Sequence, residues 1–126
     1  MQIVISPAKK LDFKPPSETG LEPSYPVYIK EADYLITELL DYSVDDLKRL
    51  MNVSDEIARL NAERFVTWHT PFSKDNAKEA LPAFKGDVFR KIDLSKFTKK
   101  DYQYAQDHLM ILSGLFGVLR PLDLIQ

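Results

Sequence analysis

The sequence predicts a mixed α/β (α+β) fold of short buried strands with surrounding helices, on the strength of three observations. Two short apolar runs, Ile3-Val4-Ile5 and Met110-Ile111-Leu112, each lead into a small polar turn, at Ser6-Pro7 and Ser113-Gly114. Strands that end at a sheet edge have that form. Between them, apolar residues recur at helical spacing from Ile29 onward, and a hydroxyl followed three residues later by an aspartate marks several helix starts. The 126 residues suffice for one domain with a core.

Taken in order, Ile3-Val4-Ile5 has no polar residue alternating with it, so a strand buried on both faces is expected. Pro7 cannot donate to a ladder and ends that strand near Ser6. Residues 14–28 hold Pro15, Pro16, Pro23, Pro26 and Gly20, and predict an extended strap anchored by Leu21, Tyr25 and Tyr28. Ile29, Ala32, Leu35, Ile36, Leu39 and Leu40 predict a helix ending near Tyr42. Ser43 with Asp46 caps a short helix whose apolar face is Val44, Leu47, Leu50 and Met51. Asn52-Val53 interrupts, and Ser54 caps a longer helix reaching Trp68. Pro71 ends it; Ser73, Asp75 and Asn76 predict a further helix that Pro82 stops. Residues 83–89 predict a strand or tight turn around Gly86. Thr98 with Asp101 caps a helix running to His108 that buries Tyr102 and Ala105. Leu109 to Leu112 is expected as a strand, because Ser113-Gly114 and Gly117 make a poor helix interior. The last residues, Leu122 to Gln126, follow an apolar run without a polar tail, which predicts the N-terminal part of a longer protein.

Composition narrows the chemistry. No cysteine is present, which excludes disulfides, thiolate metal sites and thiol nucleophiles. With two histidines, His69 and His108, both placed at helix ends, no metal site and no cofactor is expected. No run approaches membrane-spanning length and no signal peptide opens the chain, so the expected compartment is the cytoplasm, with no membrane partner. The net charge is −2, so any nucleic-acid binding requires a local basic patch.

Three clusters carry candidate chemistry: Ser6, Lys9, Lys10 and Asp12; Lys85-Gly86-Asp87; and Ser113-Gly114 through Gly117 with Arg120. Ammonium and guanidinium groups beside glycine turns suit an anion, the side chains supplying charge and the backbone N–H groups direction. Lys10 reads as a solvated lysine. Lys9, Lys85 and Arg120 fit a shared site and solvated turn positions equally well. If the strands at Ile3 and Met110 end at the same sheet edge, Ser6 and Ser113-Gly114 face each other. Residues 43–68 have the spacing of an inserted helix-hairpin-helix-like unit, which grips a phosphate backbone through N–H groups of its turn, here Met51, Asn52, Val53 and Ser54. Its electrostatics are unfavourable: residues 31–63 hold nine acidic groups against Lys48, Arg49 and Arg59. Residues 74–100 hold eight basic residues against four acidic ones and suit a phosphate backbone better.

With these residues in view, the chain resembles the YaaA family of peroxide-stress proteins. The resemblance rests on Ile5-Ser6-Pro7-Ala8-Lys9 with Leu11-Asp12, and on Leu50-Met51 through Ser54. It continues through Asn61-Ala62-x-Arg64-Phe65, Ala83 through Val88, and Leu112-Ser113-Gly114-Leu115-Phe116-Gly117-Val118-Leu119-Arg120-Pro121-Leu122-Asp123. What it implies is a bacterial cytoplasmic protein that limits oxidative damage and intracellular iron, and binds double-stranded DNA through a basic cleft and a helix-hairpin-helix motif. Carried onto this chain, the cleft falls on Lys9, Lys85 and Arg120, and the hairpin on residues 51–54. The alternative is an enzyme whose Ser6, Lys9, Asp12, Lys85, Ser113 and Arg120 line a pocket for a small anionic ligand, phosphorylated or nucleotide-like, with a lysine near a carboxylate for proton transfer.

Overall fold

The computed structural model describes residues Met1 to Gln126. The chain forms two compact units: Met1–Ile29 with Phe72–Gln126, and the intervening Lys30–Pro71. It is a mixed α/β fold, and no helix is long and apolar enough to cross a membrane.

The first unit is built on three small sheets. Strand β1 (Ile3–Ile5) is followed by β2 (Lys10–Leu11) and the strap. The other pieces come after the inserted helical unit: β3 (Lys78–Glu79), a short helix at Ala80–Ala83, β4 (Phe84–Lys85), a one-turn helix at Asp87–Arg90, a 3-10 turn at Leu94–Lys96, a ten-residue helix at Lys99–His108, β5 (Leu109–Ser113), β6 (Gly117–Leu119) and β7 (Leu124–Ile125). The three-stranded sheet has the order β1-β5-β6. β1 and β5 are parallel, with Ile3, Val4 and Ile5 beside Leu109, Met110 and Ile111. β5 and β6 are antiparallel, with Ser113 opposite Gly117. β2 pairs with β4, and β3 with β7, both antiparallel. The core of this unit holds Leu81, Ile111, Leu119, Leu124 and Ile125, all nearly inaccessible to solvent, with Phe84 stacked on Phe89 at 5.1 Å.

Several expectations are corrected. β1 is not buried on both faces: Ile3 and Val4 are 41% and 53% exposed, because β1 is the edge strand of its sheet. The strap's hold is chiefly polar. Tyr25 and Tyr28 are about half exposed, with the Tyr28 ring lying against Gly117, whereas Ser17 donates to Glu79 and Ser24 donates to Asp123 at 2.6 Å. Ser24 N–H also donates to Leu122 O, and Leu124 N–H to Ser24 O, so the strap enters a bridge with the C-terminal segment. No helix runs from Ser73 to Pro82. Asn76 Oδ1 accepts from Ser73 N–H and Asn76 N–H donates to Ser73 O, closing a turn. The backbone of Lys78 and Glu79 is then taken by pairing with Ile125 and Leu124, a partner nearly fifty residues away that local propensity cannot announce.

The second unit follows its sequence closely. Its helices are Ile29–Leu39, Val44–Met51 and Asp55–Thr67. Ser43 and Asp46 form a reciprocal capping box at the second helix. Ser54 Oγ caps the third by accepting from Ile57 N–H. Asn52 adopts the left-handed conformation (φ 52°, ψ 57°) that lets the chain reverse between them. Leu47 and Ala58 are fully buried where these two helices pack. Trp68 Nε1 donates to Asp33 at 2.8 Å, tying the end of the third helix to the first.

Candidate functional site

Two of the three sequence clusters converge in the first unit. Lys10 stands directly opposite Lys85, and Leu11 opposite Phe84, in the β2–β4 ribbon. Residues opposite each other on an antiparallel pair project to the same face, so two ammonium groups share one side of a two-residue ribbon. Like charges so placed repel, which gives the ribbon no reason of stability to carry both. Asp12 extends the ribbon by donating its N–H to Ala83 O at 2.8 Å, and its carboxylate accepts from Lys14 N–H at 3.1 Å.

Gly86 holds the second connection. Its φ of +145° is one that side-chain-bearing residues rarely adopt, and a Cβ there would stand 3.0 Å from the Ala8 Cβ. The Lys85-Gly86 turn therefore lies against the loop of Ser6 to Lys9. Ser6 and Lys9 are both exposed on that loop. The expectation that the two strand-to-turn units end at one edge also has its geometry: extending the Ile5–Ile111 register by one and two residues sets Ser6 beside Leu112 and Pro7 beside Ser113.

The third cluster divides. Ser113 Oγ accepts from Phe116 N–H at 3.0 Å, and so closes its own hairpin turn. Gly114 is exposed with open space around it. Arg120 lies elsewhere. β6 runs back along β5, so Arg120 is three residues from Gly117, or about 10 Å of strand. Its guanidinium Nη2 donates to Asp123 Oδ1 at 2.9 Å and to Tyr25 O at 3.2 Å, while Nε is buried without a hydrogen-bond partner. Asp123 is fully buried and also accepts from Arg120 N–H and Ser24 Oγ–H. Arg120 is thus committed to a buried carboxylate that pins the strap.

Sequence reasoning missed Lys78. Only 6% of it is exposed, and its Nζ donates to Asp12 O at 3.1 Å. Burial pushes this ammonium below its ordinary value; Asp12 draws it back up, and Lys85 pushes it further down. Both are therefore close enough to act on its charge. The neighbouring Glu79 is also buried, with Oε2 accepting from Ser17 and Oε1 unpartnered. The available signal was a Lys-Glu pair set inside the apolar stretch Ala77 to Leu81.

In the second unit, the turn residues 51–54 are placed as a helix-turn-helix reversal, but most of their donors are used. Asn52 N–H and Val53 N–H both donate to Lys48 O. Donors at the start of the third helix share their turn with Asp55 and Glu56, which repel an anion. Arg49 and Arg59 pair with Asp46 and Asp55, each at 2.8 Å. A surface groove lined by Asp45, Lys48, Arg49, Asn52 and Val53 lies beside the turn. At helix ends, His69 Nδ1–H donates to Thr67 O and His108 Nδ1–H donates to Met1 O.

Comparison with known proteins bears on what this arrangement serves. The family model described as peroxide stress protein YaaA matches residues 1–126. A UPF0246 protein of Aromatoleum aromaticum is 48% identical over the whole chain, which covers 48% of that relative. A UPF0246 protein of Colwellia psychrerythraea is 44% identical, again over the whole chain and 49% of the relative. The chain spans about half the length of the curated relatives it matches.

Proposed function

The chain belongs to the peroxide stress protein YaaA family, and from that premise we propose that it acts in the bacterial cytoplasm by binding double-stranded DNA, so limiting oxidative damage and intracellular iron during peroxide stress. The observation that carries the DNA reading is the pairing of Lys10 with Lys85 beside the Gly86–Ala8 contact, with Lys9 on the adjoining loop. A ribbon that sets like charges opposite each other is favoured once a polyanion lies across them. The phosphate contacts assigned to this face are Lys9, Lys10 and Lys85. The turn at 51–54 is assigned a secondary role, since Asn52 N–H and Val53 N–H donate to Lys48 O and the helix start beside it carries Asp55 and Glu56. Arg120 positions the strap through Asp123 rather than meeting phosphate.

Three such contacts give a definite salt dependence. Fluorescence anisotropy of a labelled duplex across a range of salt should give a log–log slope of about −2.7, at about −0.9 per phosphate neutralised. Binding that does not weaken with salt contradicts the proposal.

A further inference from the structure

We propose that the place where Lys78 of β3 reaches the end of the β2–β4 ribbon is a binding site for a small oxyanion of the phosphate class, inorganic phosphate or a phosphomonoester head group, with the buried Lys78 ammonium at its floor and Lys85 and Lys10 at its mouth. The argument starts from Lys78. A buried ammonium requires a counter-charge or a full set of acceptors. Lys78 Nζ has one protein acceptor, the neutral carbonyl of Asp12, and no carboxylate within ion-pair distance. The adjacent Glu79 acts on this charge only weakly and forms no ion pair with it, because successive residues of a strand point to opposite faces and its carboxylate accepts from Ser17. Around Lys78 three cationic side chains meet two carboxylates: Lys85 bears on its charge and Lys10 stands opposite Lys85, while Asp12 and, more weakly, Glu79 oppose them without forming an ion pair.

A cation at the floor and two at the mouth match an anion that carries more than one charge on diverging oxygens. The depth of Lys78 selects a terminal head group. A phosphodiester, flanked by a sugar on each side, reaches the ribbon lysines but not a group that is 6% exposed. The site shares Lys85 and Lys10 with the duplex-binding reading and does not depend on it. The shift of the Lys78 ammonium is in the direction expected of a cation lacking its counter-ion, and a bound dianion would reverse it.

The test is a titration of the purified chain followed by backbone amide NMR at constant ionic strength. The probes are inorganic phosphate, glycerol 3-phosphate, and dimethyl phosphate as a diester. Saturable shifts are expected at Asp12, Lys78, Lys85 and Gly86 with phosphate, and dimethyl phosphate should bind at least about tenfold more weakly. Response to both phosphate and glycerol 3-phosphate supports a phosphomonoester head group; response to phosphate alone supports the free anion. Lys78→Met keeps the chain's length without its charge and should weaken phosphate binding at least about tenfold while changing duplex affinity less than about twofold. Should that variant fail to fold, exposed Lys10→Ala replaces it, with an expected loss of about threefold in phosphate affinity. Absence of saturable shifts, equal binding of dimethyl phosphate, or wild-type phosphate affinity in the folded variant overturns the site. Phosphate binding without duplex binding retains the site and removes the duplex reading.

Discussion

The helical unit of residues 30–71 and the three-sheet unit of residues 1–29 and 72–126 are built by opposite means. In the helical unit each decisive contact is local: Ser43 with Asp46, Ser54 with Ile57, and the left-handed Asn52 between them. In the sheet unit the decisive contacts join distant segments: Lys10 with Lys85, Glu79 with Leu124, Ser24 with Asp123. The local unit carries the turn that the sequence suggests as a phosphate-gripping hairpin, but its helix starts hold Asp45, Asp46, Asp55 and Glu56. The non-local unit has no recognisable motif, yet it gathers the lysines. Motif shape and charge have come apart, and the proposed anion contacts follow the charge.

That contrast predicts how each unit fails. The largest effect belongs to Asp123→Ala, which removes a fully buried carboxylate accepting from Ser24 and twice from Arg120. It leaves a guanidinium without its partner and frees the strap, so a loss of about 3–5 kcal/mol is expected in urea unfolding. Asn52→Val should cost about 1–2 kcal/mol, since only the local turn suffers when a β-branched residue is forced into the left-handed region. Asn52→Gly should be neutral within about 0.5 kcal/mol, and the difference between the two variants measures how far one dihedral holds the helical unit.

Acid and alkali separate the units by sign. Burial lowers the Lys78 ammonium below its ordinary 10.5, so between the lowered value and 10.5 the folded state binds fewer protons than the unfolded one. Stability of the sheet unit therefore rises with pH through that window, and Lys78→Met should abolish the rise in a pH series of thermal melts. Asp46 and Asp101 lie below their ordinary 3.8, held there chiefly by hydrogen bonds from Ser43 and Thr98. Their contribution is complete above 3.8 and is lost as pH falls through the lowered values, so one cap in each unit should fray together in acid. The smallest effect is on stability in Lys85→Ala. Removing one of two opposed ammonium groups should raise stability by about 0.2–1 kcal/mol, while the salt slope of duplex binding becomes shallower by about 0.9.

The parts legible in the sequence are those that local chemistry dictates. Capping pairs and apolar spacing were sufficient for the helices from Ile29 to Thr67 and from Lys99 to His108. The Ser113-Gly114 turn and Gly117 were sufficient to distinguish β5 from a helix continuing past His108. The repeated strand-to-turn pattern suggested that β1 and β5 end at one sheet edge, while their parallel register is read from the structure. Phe84-Lys85 and the Gly86 turn met the expectation of a strand or tight turn, but Lys78-Glu79 was illegible, because it carries no period of its own and acquires its form from a partner. The same reason hid Lys78, which reads as a surface lysine until β7 turns it inward. Arg120 was legible as a cation but not as one already engaged, since Asp123 stands only three residues on and the strap that completes the pair comes from residues 24 and 25.

Titrating a short DNA duplex into the labelled chain and following every backbone amide tests the central claim most directly. The account predicts the largest shifts at Lys9, Lys10, Lys85 and Gly86, with residues 51–57 moving little. Shifts concentrated at Asn52 to Ile57, with the lysine ribbon silent, would contradict it.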